Sequence, residues 1–293
     1  YLDPAFFYVT NPNIGRSVSQ EWLERELGKE MAKDAATRAT FLAKHLNVEI
    51  GMNLRANRWA GADFWARRGD PALTFGAVLD RSEVVVVGVD GGGLDDLFGL
   101  CVLGRDKLTK DWLAWSHAWA HVGVLKLRKG IAPRLRDFER AGHLTIVDDE
   151  LADVSGIVDV VREADLRGLL ACVAVDPAGI TELVDALVEI DVTPENGKVK
   201  AAKQGYAMMH AIKGAERKLA NGTLWHDGSP LMAWAVGNLK IEPTATAIKA
   251  TKQNAGDAKI DPIMALFDAV TEMSNHPAAA GPSIYETRGI LVI

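Results

Sequence analysis

The chain has 293 residues, 48% of them hydrophobic and 25% charged, with 33 basic against 39 acidic side chains and a formal net charge of −6. That balance supports one large buried core or two smaller ones and excludes a disordered or fibrous polypeptide. It also excludes a uniformly basic nucleic-acid coat, while leaving room for a local basic groove on an acidic body.

The chain opens on YLDPAFFYVTNPN, which lacks the basic and apolar regions of a signal peptide. Its start at Tyr1 suggests a fragment or a processed product. Two helices are predicted in the first part, through SQEWLERELGKEMA with Ser17 or Ser19 as cap, and through AATRATFLAKHLN. From Val48 to about Ser82 the sequence NRWAGADFWARRGDPALTFG reads as a linker on a surface, and a boundary between domains 1–80 and 81–293 is placed there. VVVVGVD and FGLCVLGRD then read as strands joined by the Gly-rich turn after Asp90, and WLAWSHAWAH as a third strand whose Trp112, Trp115 and Trp119 pack a sheet face. A basic stretch, the short run LTIVDD and a helix over VSGIVDVVREAD follow.

LLACVAVD is a further buried strand, ending in Asp176, before the helical PAGITELVDALVEI. Helices are predicted over GYAMMHAIKGAERKLANG and SPLMAWAVGNL, a strand over TATAIKAT, and a last helix, PIMALFDAVTEMS, opening at Asp261. Strands first, then strand alternating with helix, imply an α/β fold in which helices flank a mixed sheet. No apolar run reaches the roughly 18 residues that cross a bilayer, so no membrane partner is expected. Cys101 and Cys172 lie in apolar runs and read as reduced core thiols.

Asp90 and Asp176 each end an apolar strand, and Asp261 opens a helix. Ligands bind α/β sheets at the carboxyl ends of their strands. Three carboxylates gathered at that rim need a counter-charge, and hard oxygen donors favour Mg²⁺ or Mn²⁺. The chemistry this implies is phosphodiester hydrolysis with two ions, one activating water and one stabilising the leaving oxygen. The plainer reading stays open: Asp176-Pro177 and Asp261-Pro262 are good helix starts, and Asp90 before glycines suits a turn. No GxxxxGK[ST] is present, hence no complete ATP site in this chain. GxGxxG, HExxH and GxSxG are missing too, and His226 reads as a loop or capping residue.

In TNPNIGRSVSQEWLERE, FLAKHLNVEI, GVDGGGLDDLFGL, CVAVDPAGI, QGYAMM, ERKLANGTLWHDGSPLMAWAVGN and AKIDPIMALFDAV, taken in that order, the sequence resembles the nuclease domain of tailed-phage terminase large subunits, the DNA-packaging motor protein. The resemblance implies a ribonuclease H-like mixed sheet flanked by helices. It gives Asp90, Asp176 and Asp261 as metal ligands and catalytic residues, with Asp90 and Asp261 on one ion and Asp90 and Asp176 on the other. It makes residues 1–80 the mainly helical end of an ATPase domain whose Walker motifs are absent here, so that this chain alone does not translocate DNA. The partners it implies are double-stranded viral DNA, portal protein, the small terminase subunit and the ATPase domain of the same protein, in the cytoplasm of the infected bacterial host. Where relatives tend to carry small hydroxyl residues after the first Asp, this chain carries three glycines, and Asp95, Asp96 and Asp257 fall to supporting or capping roles. Candidate phosphate contacts are Lys126, Arg128, Lys129, Arg134 and Arg136 in one cluster and Lys249, Lys252 and Lys259 in the other. The alternatives are another ribonuclease H-like nuclease, of resolvase or transposase type, and a non-catalytic module that docks DNA or portal.

Overall fold

The computed structural model of the chain describes residues 2–33, 35–47, 57–149, 151–176, 181–252 and 257–279. The first helices are α1 Phe7–Thr10, α2 Gln20–Met31, α3 Ala35–Leu46, α4 Ala62–Trp65 and α5 Phe75–Arg81. The strands β1 Ser82–Gly91, β2 Leu97–Asp106 and β3 Trp112–His121 follow, then α6 Gly123–Leu127, α7 Ala132–Arg140, β4 Leu144–Val147 and α8 Ala152–Leu166. The last third holds β5 Leu170–Val175, α9 Thr181–Val188, β6 Val199–Ala201, α10 Met209–Asn221, β7 Leu224–His226, α11 Pro230–Asn238, the hairpin strands β8 Leu239–Pro243 and β9 Ile248–Lys252, and α12 Asp261–Met273.

Seven strands form one sheet in the order β4-β3-β2-β1-β5-β6, with β7 beside β3. β1 to β3 form an antiparallel meander, and β5 then returns parallel to β1. This is the mixed sheet that the sequence implies. Two of its strands, β6 and β7, span three residues each, too short to show a period, and were not expected. Ser19 caps α2 by accepting the Trp22 N–H, as one of the two proposed caps.

Period-two alternation decides what each strand residue faces. Val84 and Val86 of β1 and Cys101 and Leu103 of β2 pack with α10, α11 and α12, whereas Val85, Val87, Val89, Leu100 and Val102 pack with α5, α8 and α9. Burying one such side chain contributes about 1.5–3 kcal/mol, and a slip of one residue would reverse every face, so the register is firmly set. Cys101 and Cys172 are both free and buried in these runs, as expected.

α12 is apolar nearly all round and lies across the sheet with every residue from Asp261 to Val270 buried. Two glycines permit its approach. A Cβ on Gly99 would stand 2.6 Å from the carbonyl carbon of Asp261, and one on Gly88 would collide with the Ala265 carbonyl oxygen.

The surface linker expected between residues 48 and 82 is corrected wherever that stretch is described; residues 48–56 lie outside the described residues. Trp59 and Trp65 are fully buried, Trp59 edge-on to Phe267 of α12 at 5.2 Å. Glycine, proline and arginine dominate the reading of that stretch as a loop, but two aromatic rings of this area are worth more buried than exposed. Residues 2–46 keep a small core of their own around Phe7, Leu23 and Leu46.

Candidate metal centre

Asp90 lies near the end of β1, opposite Gly99 of β2, so it is a strand residue and not the turn residue its glycine neighbours suggest. By alternation it shares the α12 face with Val84, Val86 and Gly88. Asp176 follows β5, on the same face as Cys172 and Ala174. Val89 pairs with Val175, and the Asp176 N–H donates to the Val89 carbonyl at 3.3 Å. The next residue of each strand is therefore Asp90 or Asp176, on adjacent parallel strands about 4.8 Å apart. α12 brings Asp261 to this edge: a Cβ on Gly91 would lie 3.1 Å from the Asp261 Cβ.

Asp261 is not a cap. Ile260 occupies the N-cap position with no side-chain hydrogen bond, and Asp261 is the first residue of the helix. Its Oδ2 is buried with no hydrogen-bond partner, while Oδ1 lies 3.9 Å from the Lys252 ammonium. Burial, and then the charge of Asp96, push the Asp261 carboxyl up to about 7, against the pull of Lys252. Asp90 is raised well above the usual carboxylate range by burial first, then by Asp261 and Asp176. The Asp176 side of the capping question involves residues 177–180, which lie outside the described residues.

Among the described residues, no three His, Cys, Asp or Glu side chains already close around one point that could hold an ion. The donor set nevertheless fits one. Carboxylates gathered at this edge, two of them buried and raised and one with an orphaned oxygen, are hard oxygen ligands that a divalent ion such as Mg²⁺ or Mn²⁺ fits.

The turn between β1 and β2 is held from below. Gly91, Gly92 and Gly93 all take positive φ, from 92° to 110°, which serves the turn where a side chain would be strained. Lys259 bonds Asp96 Oδ1 at 2.6 Å and the Asp95 carbonyl at 2.9 Å, and Lys252 bonds Asp96 Oδ2 at 3.3 Å. Asp95 pairs with Arg128 at 3.1 Å, and Asp257 sits against Gly130. Asp95 and Asp96 thus tie the turn to its neighbours, the supporting role assigned to them.

Lys259 is a correction. Its side chain is 1% exposed and committed to Asp96, so it cannot be a phosphate contact. An ammonium so far from water persists only when paired. Lys126, Lys129, Arg134 and Arg136 are exposed, Arg128 and Lys252 partly so. Lys249 pairs with Glu242 on β8.

His226 is structural, in line with the plainer expectation. Its ring stacks on Trp65 at 4.0 Å, Nε2 bonds the Trp65 carbonyl at 2.8 Å, and Nδ1 accepts the Gly228 N–H at 3.1 Å. Beside it Asp227 accepts from the Ser116 N–H and hydroxyl and the Ser229 N–H, and Ser229 caps α11. The HDGSP segment is a clamp between β3 and α11. Trp112 and Trp119 are buried against the sheet, and Trp115 lies against Phe75.

One carboxyl was missed. Asp268 of α12 is fully buried, and neither oxygen has a hydrogen-bond partner. Burial and the charges of Asp90 and Asp176 push it up to about 10. Its signal was available: an acid amid the apolar run from Pro262 to Val270, seven residues after Asp261 and so on the same face.

Among known proteins, the chain matches the family described as terminase large subunit, endonuclease domain, over residues 1–277. It is 26% identical over 289 residues to Protein YmfN of Escherichia coli strain K12, covering 92% of this chain and 59% of that protein. The large terminase of bacteriophage HK97 has a similar structure, with a TM-score of 0.57 at 18% identity, over 92% of this chain and 54% of that one. The large terminase nuclease of the thermophilic phage G20c aligns with a TM-score of 0.41 at 13% identity, over 64% of this chain and 81% of that one. The chain spans 59% and 54% of the lengths of the first two. The sheet is the mixed, helix-flanked one that the sequence implies, its fold is shared with the HK97 large terminase, and with a match over residues 1–277 the chain belongs to the terminase large-subunit endonuclease domain family.

Proposed function

We propose that this chain is the divalent-metal-dependent endonuclease part of a phage DNA-packaging protein, cutting concatemeric double-stranded DNA when packaging starts and when the head is full. The observation that carries the reading is the meeting of Asp90 and Asp261, two buried carboxylates from elements far apart in sequence, with one Asp261 oxygen unsatisfied and no capping duty to explain it. A merely structural acid at that position would have both oxygens satisfied, whereas Oδ2 of Asp261 is buried with no partner.

Asp90, Asp176 and Asp261 would hold the ions, two in number, with Asp90 shared between them. Bound there, the ions would supply an activated water and a counter-charge for the leaving oxygen. The protein's own contribution is positional. Gly88 and Gly99 set the height of α12 and hence of Asp261, while Lys259 and Asp96 hold the turn that follows Asp90. Lys252 reaches both Asp96 and Asp261 from the exposed side, where it can also meet a phosphate. Arg128 pairs with Asp95 of the same turn, and with the exposed Lys126 and Lys129 near it in sequence it would hold the DNA backbone without reading sequence. Portal protein, the small terminase subunit and an ATPase domain of the same protein are the partners in this reading, in the cytoplasm of the infected bacterium.

The test is plasmid nicking by the full chain with Mn²⁺. Wild type should cut linear and supercoiled duplex, and Asp90→Asn should abolish cutting while melting at or above the wild-type temperature. Equal rates for the two proteins would refute the site. Preference for a branched junction or an RNA/DNA hybrid over plasmid would move the assignment to another ribonuclease H-like nuclease. Absence of both cleavage and metal-linked heat with duplex present would make it a docking module.

A further inference from the structure

The charges around the two halves of the centre differ. On the Asp261 side Lys252 stands 3.9 Å from Oδ1 and also pairs with Asp96, which in turn holds Lys259. On the other side the charges acting on Asp268 are those of Asp90 and Asp176, with no cation of the described residues opposing them.

Helical geometry puts Asp268 there. Asp261, Ala265, Asp268 and Glu272 form one stripe of α12. Ala265 lies on Gly88 of β1, and Glu272 bonds Lys200 of β6 at 2.9 Å, so the stripe crosses from β1 toward β5 and β6. Asp268, between them, faces the strands that end in Asp90 and Asp176. Its side chain is fully buried with two unpartnered oxygens, which is an observation independent of the clustering of acids. An apolar residue or an amide would be the ordinary choice in that place. Above it Asp176 is partly exposed, leaving an approach from solvent.

We propose that Asp268 is a further ligand of the metal centre, supplying a carboxylate from beneath to a divalent cation held between Asp90 and Asp176, while Lys252 serves as counter-charge on the Asp261 side. The inference rests on the metal-dependent reading above and deepens it. It assigns the better-furnished ion site to the β1 and β5 ends, with three carboxylates. A third carboxylate also makes the site selective for a hard, oxygen-seeking ion.

The experiment measures Mn²⁺ binding to the full chain, by electron paramagnetic resonance of the free ion with a short DNA duplex present, together with melting in chelator. Asp268→Asn should weaken Mn²⁺ binding by about tenfold or more, the scale on which supporting groups of metal sites act. The same variant should melt higher than wild type without metal, because an orphaned acid has been removed. Asp268→Ser, smaller than the native residue, guards against a packing artefact and should weaken binding equally. Wild-type affinity in both variants, with only the melting temperature moved, overturns the proposal and leaves Asp268 a structural residue. Asp90→Asn separates the two levels: if it too binds Mn²⁺ like wild type, the metal centre itself is misplaced, whereas if it alone fails, only the role of Asp268 falls.

Discussion

Gly99 of β2 lies directly beneath the first residue of α12: a methyl group added to it would stand 2.6 Å from the Asp261 carbonyl carbon and 2.7 Å from the Pro262 nitrogen. The absent side chain on one strand therefore fixes the position of a carboxylate on a distant helix. Gly99→Ala should lift the start of α12, costing about 1–3 kcal/mol of stability by overpacking. Cleavage should fall further than stability, because a displacement of about 1 Å at a reacting group costs on the order of 100-fold in rate. Gly76→Ala, where the new methyl meets nothing within 4 Å, is the control and should match or exceed wild type in both assays. Denaturant melts and plasmid nicking measure the two effects, and equal activity of both variants would contradict the close approach.

The Lys259 and Asp96 pair joins the same two elements by charge. Lys259 is nearly inaccessible to solvent, so removing its partner is worse than removing the pair. Lys259→Met and Asp96→Asn should each destabilise the chain, the former by about 3–5 kcal/mol. The double variant should recover part of the loss, a coupling that a double-mutant cycle reads directly. Simple additivity would mean that the two groups act independently.

Stability without metal should fall as pH rises from about 4 to 7. In the unfolded chain an aspartate titrates near 3.9. In the folded chain burial and Asp96 raise Asp261 to about 7, and burial with Asp261 and Asp176 raises Asp90. The folded state thus binds more protons than the unfolded state across that interval, so the stability these groups contribute is complete below the unfolded value and disappears as pH climbs through the folded one. Asp96 works in the opposite sense. Its burial is outweighed by the Lys259 hydrogen bond and the Lys252 charge, which lower it, so its contribution is lost only in acid. Melting curves in chelator between pH 4.5 and 8 should slope downward, by several degrees across the range for a chain of this size. Asp261→Asn should flatten part of that slope. A level wild-type profile would mean that the carboxylates do not share a buried site.

How much of this was legible in the sequence depends on what each residue does at short range. Val84 to Val89 announce a strand because β-branched residues suit a pleated surface, and the strand's end is marked by the change to glycine. Asp90, Asp176 and Asp261 stood out for the same reason, as charges where apolar runs stop or start. The inward turn of Trp59 and Trp65 was hidden, because Trp59 packs on Phe267 of α12 and Trp65 on His226, both more than 150 residues further along the chain. The same holds for Lys259, which reads as one more basic residue beside a carboxylate until the fold places it under the β1–β2 turn. Asp268 was legible as an acid within an apolar run, but its burial facing the ends of β1 and β5 was not. Only half of the clamp made by Asp227 had a local sign: Ser229 lies two residues on, but Ser116 lies on β3, more than a hundred residues before it.

The split between exposed and buried cations predicts how DNA binding responds to salt. Each phosphate neutralised by a lysine or arginine releases counterions, and log K falls with log salt by about 0.9 per contact on duplex DNA. Lys129 is exposed beside Arg128, so Lys129→Ala should lower affinity on any sequence and reduce the salt slope by about one contact. Lys126→Ala should do the same. Lys259 should contribute nothing to that slope, since its ammonium already faces Asp96. A Lys259→Met chain held below its melting temperature should therefore bind with the wild-type slope even if it cuts poorly. Lys252 combines the two behaviours: partly exposed and 3.9 Å from Asp261, its loss should flatten the slope and also slow cleavage. Fluorescence anisotropy of a labelled duplex, titrated at several salt concentrations without divalent metal, separates these cases. A reduced slope in the Lys259 variant would place that side chain on the DNA and return it to the role the sequence suggests.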